Sequence, residues 1–145
     1  MNGFALLTPV PAEHLVDGED VCRRQDKVAF GTEAWEVFAA LSDIAGPEPQ
    51  VLIYASHDDE HHGPVVTWVA RYVGYTPARA GLHPDRFRYR PPSCRADGAF
   101  SGFYEVTELR RLDSGLEIPV ESLKKRDGGS LTAGFVPRGP TIVRA

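Results

Sequence analysis

The segment Val51-Leu52-Ile53-Tyr54-Ala55, followed after a polar stretch by residues 65–75, decides the fold class. In residues 65–75 the side chains at even positions, including Trp68 and Tyr72, alternate with those at odd positions, and both sets are largely apolar. Alternation with apolar residues on both faces is typical of strands buried inside a sheet. The two segments therefore predict two adjacent strands joined by a polar turn.

Shorter strand-like segments lie on both sides of this pair. Residues 76–98 are rich in proline, glycine and arginine and predict a long loop. Pro119 suits the first position of a short helix that ends before Asp127-Gly128-Gly129. The further predicted strands are residues 4–10, 27–30, 100–106, 109–112 and 141–144.

The main predicted helix covers residues 32–45. Thr32 is a suitable N-cap, and Glu33 and Glu36 fall in the first turn, where the helix dipole favours carboxylates. Gly46-Pro47 ends the pattern. The apolar residues that recur at helical spacing are Ala34, Val37, Phe38, Leu41 and Ile44.

These elements predict an α+β protein in one domain, residues 1–145. A chain of 145 residues has the length of one ordinary domain. Strands dominate, and most connections are too short for parallel crossovers. We expect a small mixed or antiparallel β-barrel that carries one main helix and one short helix.

Composition and motifs exclude several classes of protein. No apolar run reaches the roughly 18 residues that cross a bilayer, so we expect no membrane partner. Cys22 and Cys94 form no ligand pair or disulfide framework, which predicts free thiols and a cytoplasmic location. Nucleotide-phosphate and dinucleotide loops are missing from the sequence, so we expect no cofactor of these types.

Charge is distributed unevenly along the chain. Residues 1–70 hold three basic and twelve acidic side chains, a balance of −9, whereas residues 71–145 hold thirteen basic and eight acidic ones, a balance of +5. The net charge of −4 argues against indiscriminate nucleic-acid binding. The basic second half still permits a local surface for a polyanion.

Two polar clusters are candidates for chemistry. His57-Asp58-Asp59-Glu60-His61-His62 has the residue types of a metal site, but it occupies a predicted hairpin tip, and we expect no bound metal. In residues 86–90 arginines alternate with Phe87 and Tyr89. If that segment is extended, Arg86, Arg88 and Arg90 share one side and can contact nucleic-acid phosphates. The alternative is a structural loop whose arginines pair with the acidic first half.

The strand ending in Tyr54-Ala55-Ser56, the polar hairpin, the strand at residues 65–75 and the later residues 102–109 resemble an element of PUA-like barrels. The resemblance covers most of residues 27–112 and is closest to the ASCH and EVE branches. ASCH domains often carry the motif GxKxxExR, of which Gly31 and Glu36 are present here. Glu33 and Phe38 replace its lysine and arginine.

The resemblance implies binding of RNA, DNA or a modified nucleotide in a cleft between the barrel and the main helix. The residues expected at this cleft are Thr32, Trp35, Glu36, Tyr54 and Ser56. The ring of Trp68 is a further candidate for stacking on a base, although tryptophans are usually core residues.

Two other functions fit the same sequence. One is a small hydrolase acting on nucleosides or nucleotides, with Glu36 as general base assisted by Lys27 or Thr32. The other is a protein-interaction module of the phage or prophage type, in which the acidic first half imitates nucleic acid. Steep salt dependence distinguishes phosphate binding from both.

Overall fold

The computed structural model describes residues 3–56, 64–94, 98–131 and 135–144. The helices in these residues are α1 (Ala12–Gln25) and α2 (Trp35–Ile44). The strands are β1 (Phe4–Pro11), β2 (Val28–Thr32), β3 (Gln50–Ser56), β4 (Val65–Pro77), β5 (Gly102–Arg111), β6 (Ile118–Pro119), β7 (Lys124–Lys125) and β8 (Thr141–Arg144).

The strands form one mixed sheet in the order β2-β5-β4-β3-β1-β8-β7, with β6 paired to β4. Only β1 and β3 run parallel among the described strands, because α1, β2 and α2 lie between them in the chain and form the crossover. The predicted α+β class is confirmed. Within the described residues the order has open ends at β2 and β7, so the expected closed barrel is not confirmed.

Helix α1 is the largest element that the sequence analysis missed. Its buried residues Leu15, Gly18, Val21 and Cys22 lie on one face, and basic residues occupy its last turn. Asp26 follows it in the left-handed conformation that often ends a helix. Gly18 lies within this face, although glycine is a poor helix former. The structure uses Gly18 for close packing, since a Cβ there would lie 3.3 Å from the ring of Phe30.

Helix α2 confirms the main predicted helix with a later start. The Thr32 hydroxyl accepts a hydrogen bond from the Ala34 backbone N–H at 3.0 Å, which turns the chain between β2 and the helix. Phe38 and Leu41 are buried as expected. The Phe38 ring stacks on Tyr104, with the two centroids 5.0 Å apart.

The predicted central pair is β3 and β4, and β4 contains a bulge. Ile53 pairs with Trp68 and Tyr54 with Val66, so Thr67 is the extra residue on β4. Simple alternation would place Val66 and Trp68 on the same face of the sheet, but the bulge places them on opposite faces. Trp68 lies in the core beneath the helices, whereas Val66 lies in the core on the other side.

Two apolar clusters fill the two sides of the sheet. The main core lies under both helices and includes Leu15, Leu41 and Ile53. The second core includes Leu7, Leu52 and their neighbours from the second half of the chain. Helices therefore cover one face, and irregular segments after β5 cover the other.

The end of the chain differs in detail from the prediction. The short helix expected at residues 119–125 is a single 3₁₀ turn, Val120–Ser122, between the short strands β6 and β7. The strands predicted at 100–106 and 109–112 form the single strand β5. Strand β8 lies where the sequence analysis placed it. No helix in the described residues has the length and apolar character to cross a membrane.

Candidate functional site

Three of the predicted ligand residues lie at the junction of β2 and α2. Thr32 is buried, and its hydroxyl is engaged with the backbone of Ala34. Trp35 is 55% exposed at the start of α2, and the neighbouring Glu36 is also exposed. The junction therefore presents one large ring and one carboxylate to solvent.

The other three predicted ligand residues lie elsewhere, which corrects the expected cleft. Tyr54 and Ser56 follow Leu52 at intervals of two on a strand that keeps a regular register with β1, so they share the face of the second core. Trp68 is only 4% exposed and belongs to the main core. A ring buried in this way has no free face for stacking on a base.

The basic loop, defined here as residues 83–90, is folded into turns rather than extended. Hydrogen bonds link Arg86 N–H to His83 C=O and Arg90 N–H to Phe87 C=O, and Arg86 has a positive φ of 60°. Arg86 and Arg88 are exposed, whereas Arg90 is buried. The expectation that the three arginines share one exposed side is wrong, because it required an extended backbone.

Arg90 holds the basic loop against the sheet. Its guanidinium donates a hydrogen bond to the Ala29 carbonyl at 2.8 Å and lies 4.9 Å from the ring centroid of Phe103. The Ala29 N–H donates in turn to the Tyr89 carbonyl at 2.7 Å. The loop is thus attached to β2 by main-chain and side-chain hydrogen bonds together.

A buried carboxylate, Glu105 of β5, fixes the other end of the loop. Thr76 donates to one of its oxygens at 2.7 Å, and His83 and Lys27 donate to the other at 3.1 and 3.0 Å. His83 Nδ1 accepts the N–H of Asp85, so Nε2 carries the proton that faces Glu105. Burial raises the pKa of Glu105, but these hydrogen bonds outweigh it and leave the pKa below its ordinary value.

An aromatic cleft of about 220 Å³ lies where the carboxyl end of β1 meets α1 and β2, with Arg90 of the basic loop in its lining. Arg90 and His14 are its basic lining residues, and the described lining contains no carboxylate. The cleft is lined by Pro9, Val10, Pro11, His14, Phe30, Gly31, Arg90, Cys94, Phe100 and Tyr104.

The walls of the aromatic cleft are packed rings. Phe100 lies directly over Gly31, where a Cβ would approach its ring to 2.5 Å, so only glycine admits the ring at this place. Tyr104 and Phe30 pack with their centroids 5.6 Å apart. Burial raises the pKa of Tyr104, which keeps its hydroxyl protonated 3.5 Å from that of Thr8.

The rim of the aromatic cleft contains the first turn of α1. The residue that precedes this helix is Pro11, whose side chain has no atom to accept a hydrogen bond from the first turn. His14 Nδ1 lies 2.7 Å from the Ser93 hydroxyl, and the Ser93 N–H donates to Asp17 at 3.1 Å. These contacts tie the segment after the basic loop to the helix.

Of the cleft residues, Arg90 was a predicted site residue and Gly31 lies next to the predicted Thr32, but most of the others were not predicted. The missed residues come from β1, from the unrecognised helix α1, and from Phe100 and Tyr104. One available signal was the pair of rings Phe103 and Tyr104, three and four residues after Phe100 in a strand-like segment. Their relation to Gly31 depends on the pairing of β2 with β5, which no local pattern specifies.

Of the two residues expected to assist Glu36 in a hydrolase, Thr32 lies with it at the junction of β2 and α2, whereas Lys27 lies at the other end of β2. Lys27 precedes β2 and Thr32 ends it, so they lie about 17 Å apart along an extended strand. Lys27 is bonded to Glu105, and Glu36 lies beyond the Thr32 end. The residues of the expected metal cluster, His57–His62, lie outside the described residues. The described residues contain no group of three or more His, Cys, Asp or Glu arranged to hold a metal ion.

Comparisons with known proteins give distant structural similarity. No family model and no curated protein matches the chain. A crystal structure of a Pseudomonas putida protein is 16% identical, with a TM-score of 0.48 over 78% of this chain and 72% of that one. A crystal structure of a Pseudomonas syringae protein is 12% identical, with a TM-score of 0.46 over 77% of this chain and 70% of that one. The structure of a hypothetical protein from Leishmania major is 18% identical, with a TM-score of 0.46 over 77% of this chain and 68% of that one. These similarities identify neither a family nor a function.

Proposed function

We propose that this protein binds a single nucleobase, within a nucleic acid or as a modified nucleotide, in the aromatic cleft. The observation that carries the proposal is a ring-lined cavity with arginine and histidine but no carboxylate in its described lining. Its volume of about 220 Å³ is below the roughly 300–1,000 Å³ of sites for drug-sized molecules. That size suits one planar heterocycle.

The chemistry of the lining agrees with this ligand. Aromatic rings stack on any base, and such stacking contributes about 1–3 kcal/mol per base. The rim also includes the first turn of α1, and helix N-termini favour negative groups such as phosphates. The resemblance of the strand pair to PUA-like domains of the ASCH and EVE type favours the same ligand class. Membership of that superfamily is part of the proposal.

Binding of labelled oligonucleotides to the Phe100→Ala variant tests the proposal. Phe100 is only partly buried, so its removal opens the cleft wall while the sheet beneath it remains. The matched control is Phe87→Ala, a phenylalanine of the basic loop that is 43% exposed and outside the cleft lining. The probes are 12-nucleotide single-stranded DNA and RNA with unmodified or methylated bases, followed by fluorescence anisotropy.

Phe100→Ala is expected to weaken binding by about 5–150-fold, the equivalent of one lost stacking contact, while Phe87→Ala binds as the parent protein does. Circular dichroism of both variants verifies that they fold. Equal affinities for the two variants would contradict the proposal. Turnover of a nucleoside or nucleotide probe would instead favour the hydrolase, and binding of a protein without any oligonucleotide would favour the interaction module.

A further inference from the structure

The second charged feature of the molecule is the basic edge, which we define as Lys124, Lys125, Arg126 and Arg144. Strand β7 is an end strand of the sheet, and both of its lysines are exposed, as are Arg126 and Arg144. Residues 118–144 contain five basic and two acidic side chains. This small region therefore concentrates positive charge at one margin of the protein.

The register of the strands brings like charges together at the basic edge. Lys124 pairs directly with Arg144 across the β7–β8 ladder. Like charges that face each other across strands destabilise a sheet. Within the described residues none of the four cations forms an ion pair with a carboxylate, and the neighbouring Asp127 accepts the N–H of Gly129 instead. The positive charge of the basic edge is therefore available to bind an external anion.

The basic edge also has a fixed shape. Arg144 donates from Nε to the Arg126 carbonyl at 3.0 Å, and its guanidinium lies 4.8 Å from the centroid of the Phe4 ring. A groove of about 450 Å³ runs beside it, lined by Phe4, Ile44, Lys125, Arg126 and Asp127. Two of these groove residues are cations of the basic edge, so the positive charge borders a concave surface.

We propose that the basic edge binds the phosphate backbone of a single-stranded nucleic acid whose base occupies the aromatic cleft, an inference that rests on the proposed function. Strand β1 connects the two places, since Val10 lines the cleft and Phe4 lines the groove. Six residues of extended strand span about 20 Å. At about 3.4 Å per phosphate along one strand in helical geometry, that distance corresponds to about six nucleotides.

The test compares two triple variants of the full chain with equal loss of charge. The first is Lys124→Gln, Lys125→Gln and Arg126→Gln. The control is Arg23→Gln, Arg24→Gln and Arg110→Gln, three exposed cations on other surfaces. The probes are a 3-nucleotide and a 12-nucleotide single-stranded DNA, each titrated between 50 and 200 mM salt.

The edge variant is expected to bind the 12-nucleotide probe about tenfold or more weakly at 50 mM salt, with a slope of log K against log salt flatter by about 2. The 3-nucleotide probe, too short to reach the edge, keeps its affinity. An unchanged slope, an equal loss in the control variant, or binding of anionic lipid vesicles in place of the oligonucleotide would overturn the inference. Phe100→Ala separates the two proposals, because it tests the cleft and leaves the edge intact.

Discussion

The basic loop and the basic edge are both rich in cations, yet they differ in what those cations contact. In the loop, Arg90 is 5% exposed and lies against rings and a backbone carbonyl. In the edge, Lys124 and Lys125 are exposed on a terminal strand. A buried cation thus fixes the fold in the loop, where Arg86 and Arg88 remain exposed, whereas all four cations of the edge are exposed.

The difference shows that the local sequence is a poor guide to which basic segment has its cations exposed for binding an anion. Residues 86–90 have the more suggestive pattern, with arginines and rings in alternation, whereas residues 124–126 form an ordinary short run. Burial against β2 and β5 removes Arg90 from the surface, and the turns of the loop leave only Arg86 and Arg88 of its three arginines exposed. Substitutions in the two segments are therefore expected to have opposite consequences for stability and binding.

The largest effect is expected for Arg90→Ala. This substitution leaves the buried Ala29 carbonyl without its side-chain donor and removes a cation from the faces of Phe100 and Phe103. The free energy of unfolding should fall by about 3 kcal/mol, from the lost hydrogen bond and cation–π contacts. Urea denaturation measures it, with Arg86→Ala in the same loop as control. A loss below about 1 kcal/mol would show that Arg90 does not hold the loop.

Glu105→Gln should have the next largest effect. The amide retains the shape of the side chain but loses the charge that accepts hydrogen bonds from Lys27 and His83. We expect a loss of about 2 kcal/mol at pH 7, typical of hydrogen bonds to charged groups. Glu108→Gln on the same strand is the matched control, because Glu108 is exposed and pairs with the exposed Arg71. Equal losses in the two variants would contradict the assigned role of Glu105.

The stability difference between the parent protein and Glu105→Gln should depend on pH. The pKa of Glu105 in the folded protein lies below its ordinary value of 4.5, so its carboxylate contributes stability above that pH. The contribution is lost as the pH falls through the folded-state pKa, where Glu105 takes up a proton. Urea titrations from pH 7 to pH 3 should show the difference narrowing at the acid end. A stability difference that stays constant over that range would show that the charge of Glu105 does not stabilise the folded protein.

Much of the fold was predictable because its signals are local. The alternation in residues 65–75 predicted β4, and the helical spacing around Phe38 predicted α2. Helix α1 was not predicted, although its buried residues Leu15, Val21 and Cys22 recur at helical spacing on either side of Gly18. The bulge at Thr67 places Val66 and Trp68 on opposite faces of the sheet, which strict alternation does not anticipate.

The candidate site was less predictable because it depends on contacts between distant segments. Gly31 and Phe100 meet only after β2 pairs with β5. The expected grouping of Trp35 with Tyr54 combined residues from different sides of the sheet. Trp35 is close in the sequence to Gly31, and Tyr54 is the strand partner of Pro9, so each lies near the cleft without lining it.

The smallest effect on stability is expected when the cations of the basic edge are removed. The variant Lys124→Gln, Lys125→Gln and Arg126→Gln should change the free energy of unfolding by less than about 0.5 kcal/mol, since these side chains are exposed. Lys124 gives up one exposed hydrogen bond to Ser130, and the repulsion between Lys124 and Arg144 is relieved at the same time. The two effects oppose each other.

Urea denaturation of this variant and of Arg90→Ala measures the contrast directly. We expect a large loss in the free energy of unfolding for one buried arginine and almost none for three exposed cations. A loss above about 1 kcal/mol in the edge variant would mean that these cations stabilise the pairing of β7 with β8, and the distinction between the two basic regions would then fail.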